Sequence, residues 1–201
     1  MASILNADIA GGLKATGDTS GVLQIQAGSV TVANIASSGV NAGIQVAPYA
    51  APTFSAYNNG AVGTTSIATA TYVALPYPSK QWDTGGCFNN TGSTVGSTPS
   101  YSFLPNVAGY YMFSGQTENV SGGGSRISLA IYKNNTYTKQ GTDLGLPSGT
   151  WGNAGGITVG ALIYMNGTTD YVDMRLYDSG GQTIAAGPTQ SYFSGFLARS
   201  V

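Results

Sequence analysis

Short segments that alternate apolar and polar side chains, separated by turn residues, are the feature that most restricts the fold of this chain. The segment SRISLAIYK carries apolar residues at every second position, namely Ile127, Leu129 and Ile131. A period of two is that of a β-strand with one face turned toward a core. Asn134 and Asn135, residues common in turns, then lead into TYTKQ. The pattern predicts antiparallel strands joined by turns.

A second alternating pair lies farther along the chain. GITVGALIYM passes through Asn166-Gly167 into TTDYVDMRLYDSGG. One face of the latter carries Val172, Met174 and Leu176, and the other carries Tyr171, Asp173, Arg175 and Tyr177. An Asn-Gly pair between alternating segments is typical of a β-hairpin. We therefore predict a hairpin here and, since such segments recur over about 150 residues, a two-sheet sandwich or barrel.

The polarity of the chain comes from Ser, Thr, Asn and Gly rather than from charge. Charged residues make up 7% of the chain, against roughly 25% in an average soluble protein. Exposed helix faces usually carry Glu, Lys and Arg, whereas this composition suits turns and half-buried strands. We predict an all-β protein.

The same composition argues against several kinds of function. The chain has no histidine, which removes most catalytic triads and most zinc sites. Asp170 and Asp173 are the closest acidic pair, but on one strand their odd separation turns them to opposite faces. Asp173 and Arg175 share a face and predict a solvent-exposed charge pair. We expect no enzyme activity and no cofactor, and although loop Asp and Asn residues could hold calcium, no EF-hand spacing supports it.

The basic residues are scattered and the net charge is −1, so we expect no nucleic-acid binding. No segment has the pattern of a signal peptide or a membrane span, so we expect neither export nor membrane insertion. Cys87 is the single cysteine and is predicted to be a buried apolar side chain.

Composition divides the chain into three parts. Residues 1–46 hold two alternating segments, with Leu23 and Ile25 in the first and Val30 and Val32 in the second, and predict a short hairpin. Pro48 and Pro52 predict a linker over residues 47–53. The strand-rich remainder, residues 54–201, is predicted to be the main domain.

The aromatic spacing in the main domain resembles the globular-head family of complement component C1q, which shares a jelly roll with the tumour-necrosis-factor cytokines. Asp83 and Phe88 are similar to the first part of its signature, and SYFSGFL is similar to its closing strand. The signature residues are Phe88, Phe103, Gly109, Tyr111, Phe113, Phe193, Gly195, Phe196 and Leu197. The segment NNTGSTVGSTPSYS is longer than the family spacing, which indicates a loop insertion.

This resemblance implies a C1q/TNF-like jelly-roll sandwich in which three copies pack about a threefold axis and bury aromatic and aliphatic side chains between them. Tyr111 and Phe113 would point into the core, and Tyr110 and Met112 would point outward. Gly109 would allow the turn into their strand without a Cβ clash.

The N-terminal segment GDTSGVLQIQAGSVTVANIASSGV resembles the short hairpins of bacteriophage tail and head fibres. Together the two resemblances imply a structural virion protein, made in the host bacterial cytoplasm and carried on the virion surface. It would be a homotrimeric capsid decoration of the cement or head-fibre type, bound to capsid or other virion proteins through residues 1–46. The alternative is a tail-fibre knob that recognises host-surface carbohydrate, for which Trp82, Trp151 and Tyr137 are the candidate ligand-binding residues.

Overall fold

The computed structural model of the chain describes residues 51–60, 70–122, 124–145 and 155–201, together with the backbones of five short strands at 5–8, 12–15, 22–27, 30–36 and 66–67. Two compact units divide the chain, Met1–Tyr49 and Ala50–Val201. Their boundary falls within the predicted linker.

Strands supply the secondary structure of the described residues, and no helix occurs among them. In the first unit they are β1 Leu5–Asp8, β2 Gly12–Ala15, β3 Val22–Ala27 and β4 Val30–Ala36. In the second unit they are β5 Thr53–Tyr57, β6 Ser66–Ile67, β7 Tyr72–Ala74, β8 Ser79–Thr84, β9 Phe88–Asn89, β10 Ser102–Phe103, β11 Gly109–Gly122, β12 Arg126–Lys133, β13 Thr136–Gly145, β14 Gly156–Met165, β15 Val172–Asp178, β16 Gln182–Ile184 and β17 Tyr192–Ser200.

The strands of the second unit form two antiparallel sheets. In the described residues, the first sheet has the order β13-β12-β15-β10-β9, with β7 also paired to β15. The second has the order β6-β16-β11-β17-β5-β8, with β14 paired to β11. For brevity we call them the β12 sheet and the β11 sheet. This is the two-sheet, all-β architecture that the alternating segments predict.

Aromatic and branched aliphatic side chains from both sheets meet in one core. Phe54 lies at its centre, with ring centroids 4.7 Å from Phe88, 4.6 Å from Phe103 and 5.1 Å from Phe193. The predicted inward residues of β12 and β15 belong to this core: Ile127, Leu129, Ile131, Val172, Met174 and Leu176. The alternation in the sequence therefore identifies the buried face of both strands correctly.

The predicted hairpin at Asn166-Gly167 is wrong. β14 pairs with β11, whereas β15 pairs with β12, so the connection between them crosses from one sheet to the other. The Asn166 side chain accepts hydrogen bonds from the backbone N–H groups of Thr168, Thr169 and Asp170. These bonds stabilise a local turn that does not pair the flanking strands, which is why the hairpin signal misleads. The predicted turn at Asn134 and Asn135 is confirmed, since both have positive φ and join the paired strands β12 and β13.

The predicted loop insertion lies between β9 and β10, which pair with each other. Asn89 is buried beneath it and donates hydrogen bonds to the carbonyl oxygens of Ser93, Thr98 and Pro99 at 2.8–3.0 Å. Its own side-chain oxygen accepts from the N–H and hydroxyl of Thr91. One buried amide thus fixes the path of the loop.

In the first unit, β1 pairs with β2 and β3 pairs with β4, both antiparallel. Leu23 and Ile25 lie on β3, and Val30 and Val32 lie on β4. Their side chains lie outside the described residues, so their attachment role stays a prediction.

Candidate functional site

The outward surface of the β11 sheet carries large apolar side chains. Register places Tyr110 opposite Tyr164, and Met112 between Leu162 and Phe196. The exposed fractions are 42% for both Tyr110 and Tyr164, 54% for Leu162 and 53% for Phe196. We call these five residues, together with Trp82, the apolar face. A contiguous exposed patch of large apolar side chains is typical of an interaction surface, whereas single exposed apolar residues are common on any protein.

A row of small residues lies beside the apolar face. Register aligns Gly160, Ser114, Ser194 and Ser55 across four neighbouring strands. A groove of about 110 Å³ lies over Ser114 and Ser194 and is bounded by Met112, Phe196 and Trp82. Because bulky and small residues lie in adjacent rows, the surface has depressions. Side chains of another protein surface can pack into them.

Two basic residues lie beside this face: the exposed Arg199, which register places opposite Tyr110, and Lys133. The Lys133 ammonium lies 5.6 Å from the ring centroid of Tyr164 and donates to the Tyr164 carbonyl. Its ion pair with Asp170, at 2.8 Å, neutralises it. Burial acts to raise the pKa of Asp170, but hydrogen bonds from Lys133, Asn134 and the Asn166 N–H outweigh it and hold the pKa below its ordinary value. The six residues of the apolar face are themselves uncharged, and Arg199 is an exposed charge beside Tyr110.

The aromatic residues of the signature lie in the core, with one exception. Phe88, Phe103, Tyr111, Phe113 and Phe193 are each at most 3% exposed. Phe196 points outward on the apolar face, and Leu197 is partly buried against the core. The predicted orientations of Tyr111 and Phe113 inward, and of Tyr110 and Met112 outward, are confirmed.

The two signature glycines lie where another part of the chain approaches the backbone closely. A Cβ at Gly109 would collide with the carbonyl oxygen of Arg199, beside an irregularity in the β11–β17 register. A Cβ at Gly195 would lie 2.6 Å from the Phe113 ring. The sequence suggests that the turn into β11 requires a glycine at position 109. In the structure, the close contact with β17 requires it instead.

The spacing of Asp83 and Phe88 also has a physical basis. The Asp83 carboxylate accepts hydrogen bonds from the N–H of Cys87 at 2.9 Å and from that of Phe88 at 3.2 Å. It closes the turn after β8 and directs Phe88 into the core. Cys87 is buried, as predicted. Burial raises the pKa of its thiol, so at neutral pH it is protonated and a poor nucleophile.

The three predicted ligand-binding residues do not form one site. Trp82 is 51% exposed at the edge of the β11 sheet, where its indole N–H donates to the Thr53 hydroxyl. Tyr137 is 43% exposed on the β12 sheet. Trp151 lies outside the described residues.

Asp173 and Arg175 are paired, as predicted, but the prediction that the pair is solvent-exposed is wrong. The guanidinium donates to both carboxylate oxygens, at 2.6 and 2.9 Å. The side chains are only 5% and 18% exposed, because Arg175 stacks over the Tyr132 ring at 4.2 Å. Neighbouring tyrosines, which charge spacing alone does not reveal, bury the pair.

Sequence reasoning missed Leu162 and Tyr164. The available signal was the run ALIYM, in which both faces of one strand are apolar. Ile163 and Met165 fill the core, so the alternate positions must be covered by something else or remain exposed.

Two negative findings limit the chemistry of the described residues. None of their His, Cys, Asp or Glu side chains form a group of three or more able to hold a metal ion. No helix in that part of the chain is long and apolar enough to span a membrane.

Comparison with solved structures identifies the fold. Murine APRIL at pH 8.5 aligns with a TM-score of 0.51 and 5% identity, over 73% of this chain and 98% of that one. Murine APRIL at pH 5.0 aligns with a TM-score of 0.50 and 8% identity over the same shares. Eiger TNF from S. frugiperda gives 0.48 and 12% identity, over 75% of this chain and 95% of that one. No protein-family model matches the chain, and comparison with curated proteins gives no match. The fold is a TNF/C1q-like jelly roll.

Proposed function

We propose that this chain is a homotrimeric structural protein of the bacteriophage virion, a capsid decoration that attaches through residues 1–46 and displays the jelly-roll unit. The apolar face of the β11 sheet is the observation that carries self-association. The paired strands β3 and β4, on the segment that resembles phage-fibre hairpins, support attachment.

The apolar face favours a second copy of this chain as its occupant. The face is continuous, but its two sides differ: Tyr164 and Leu162 lie on the outer strand β14, whereas Phe196 and Trp82 lie on the far side of Met112, around the groove. A contact between these different sides of two copies is heterologous, and a heterologous contact whose rotation is one third of a turn closes into a ring of three. Three copies then bury the face of each without requiring any region to be self-complementary.

Trimerisation makes weak attachment effective. Three linked N-terminal units act together, so that avidity can exceed a single contact by about two to four orders of magnitude without any further interface. A small trimer also matches the local threefold positions of an icosahedral shell, which favours the capsid over the tail.

Immunogold electron microscopy of virions tests the location. The antibody is raised against the full chain, and virions produced without this gene are the matched control. We expect gold spread over the head of wild-type particles and none on the control. Gold confined to the tail would replace decoration with the fibre-knob function, and particles without label would overturn the virion proposal altogether.

A further inference from the structure

Four tyrosines form a second aromatic surface, on the side of the β12 sheet turned away from the core. They are Tyr72 on β7, Tyr132 on β12, Tyr137 on β13 and Tyr177 on β15, and we call them the tyrosine cluster. The Tyr72 ring is central to it. Its centroid lies 5.6 Å from that of Tyr132 and 5.4 Å from those of Tyr137 and Tyr177.

The cluster rests on a floor of small residues. Ser128 and Ala130 alternate with the core residues of β12 and so point outward, yet both are fully buried. The Tyr72 hydroxyl donates to the Ser128 hydroxyl at 2.9 Å, which fixes its ring above this floor. Tyr132 and Tyr137 pack edge to face, with ring planes at 84°. The rings are therefore held in place before any ligand arrives, which lowers the entropic cost of binding.

Charged groups at the rim are neutralised in pairs. Arg126 lies over the Tyr177 ring at 5.4 Å and donates to both Asp143 oxygens, at 3.0 and 2.7 Å. Arg175 over Tyr132 is paired with Asp173 in the same way. The exposed Gln140 donates to Asp143 at 2.6 Å. The rim thus offers planar hydrogen-bonding groups without a net charge.

We propose that the tyrosine cluster binds neutral carbohydrate. A sugar ring presents C–H groups that suit the electronegative face of an aromatic ring, and Tyr137 provides an exposed ring. Sugar hydroxyls both donate and accept, so they suit the rim carboxylate and amide. An anionic ligand would find both arginines already occupied, and a purely apolar one would cover Asp143 and Gln140 without satisfying them.

The site does not rest on the proposed virion function. It lies on the β12 sheet, whereas the apolar face lies on the β11 sheet. Sugar binding can therefore be measured if the protein does not form a trimer, and trimer formation can be measured if the protein does not bind sugar.

Affinity electrophoresis of the full chain tests the proposal. Native gels contain dextran, a galactan or a mannan as neutral probes, and alginate as the anionic one. We expect retardation in at least one neutral gel and none in alginate. Tyr137→Ala should weaken the neutral binding by about tenfold or more, a difference of about 1.4 kcal/mol.

The matched control is Val95→Ala, since Val95 is 55% exposed but lies in the loop between β9 and β10, on neither the tyrosine cluster nor the apolar face. It should bind the neutral polymer as the wild type does. Gln140→Ala, a change at an exposed rim residue, tests the same site should Tyr137→Ala fail to fold, and is expected to weaken binding. Three results would overturn the proposal. They are migration that none of the neutral polymers slows, retardation by alginate alone, and neutral-polymer binding that survives both Tyr137→Ala and Gln140→Ala.

Discussion

The hydroxyl of Thr142 makes two hydrogen bonds to the backbone of Thr158, accepting from its N–H at 3.2 Å and donating to its carbonyl at 3.1 Å. Thr142 lies on β13 of the β12 sheet and Thr158 on β14 of the β11 sheet. One side chain therefore connects the two sheets where their edges meet. A Cβ at the preceding Gly141 would collide with the same Thr158 carbonyl, so the glycine permits this approach.

Thr142→Val should destabilise the protein. Valine keeps the branched shape but loses both hydrogen bonds, each of which contributes about 1 kcal/mol. We expect a loss of about 1 to 2 kcal/mol in urea denaturation at a fixed chain concentration. Thr158→Val is the control, because its contribution comes from the backbone, and it should be near neutral. Equal losses in both variants would show that the Thr142 hydroxyl contributes nothing specific.

Two buried tyrosines should respond oppositely to the loss of their hydroxyl groups. The Tyr77 hydroxyl is buried without a hydrogen-bond partner among the described residues, whereas that of Tyr111 donates to the Val107 carbonyl at 2.8 Å. Removing an unpaired buried polar group is favourable, and removing a paired one is not. Tyr77→Phe should therefore be neutral or stabilising, and Tyr111→Phe should cost about 1 kcal/mol.

Urea denaturation measures the change in the free energy of unfolding for both variants. The pH dependence of stability gives a second test at Tyr77. Burial raises the pKa of Tyr77 above its ordinary value. A raised folded-state pKa means that stability is present below about pH 10, the unfolded value, and is lost as the pH rises above it. Tyr77→Phe should lose less stability under alkaline conditions than the wild type. Destabilisation by Tyr77→Phe at neutral pH would contradict the assignment.

Gly195→Ala should be among the more damaging small substitutions. The added Cβ would lie 2.6–2.9 Å from atoms of the Phe113 and Phe54 rings, at the centre of the core. Packed rings cannot move apart freely, so we expect a loss of about 1 to 3 kcal/mol in denaturation experiments. Gly145→Ala, where the new methyl group would meet no atom within 4 Å, should leave the stability nearly unchanged. A Gly195→Ala protein as stable as that control would mean that the core is looser than described.

The carboxylate of Asp170 should make stability depend on acid pH. Because its pKa is held below the ordinary value, its contribution is present above the unfolded pKa of about 3.9 and is lost as the pH falls through the folded-state value. Asp170→Asn should cost about 1 to 3 kcal/mol at neutral pH, since charged hydrogen bonds are removed. The stability curves of the two proteins should converge on acidification below about pH 4. Parallel curves across the acid range would exclude this role.

Local patterns in the sequence predict the strands and their buried faces but not all of their partners. Alternation identifies Ile127, Leu129 and Ile131 as core residues, and the Asn134-Asn135 turn joins strands that do pair. The Asn166-Gly167 signal fails because the partner of β14 is the distant strand β11. Pairing between sequence-distant strands depends on the whole fold rather than on the turn.

Both candidate surfaces depend on such distant pairing. Leu162 and Phe196 share one surface, on either side of Met112, only because β14 and β17 flank β11. Tyr72 reaches Tyr132 only because β7 and β12 flank β15. Each strand could be recognised from the sequence, whereas the surface formed by neighbouring strands could not.

Sedimentation equilibrium of the full chain, with Leu162→Glu beside it, tests whether the apolar face holds three copies together. We expect the wild type to sediment as three 20.4 kDa chains and Leu162→Glu to sediment as one, because the introduced carboxylate would be buried without a partner. Val95→Glu is the matched control, since Val95 is 55% exposed against 54% for Leu162 but lies in the loop between β9 and β10, and it should remain a trimer. A wild type that sediments as a single chain, or a Leu162→Glu variant that remains a trimer, would show that this face does not hold a trimer together.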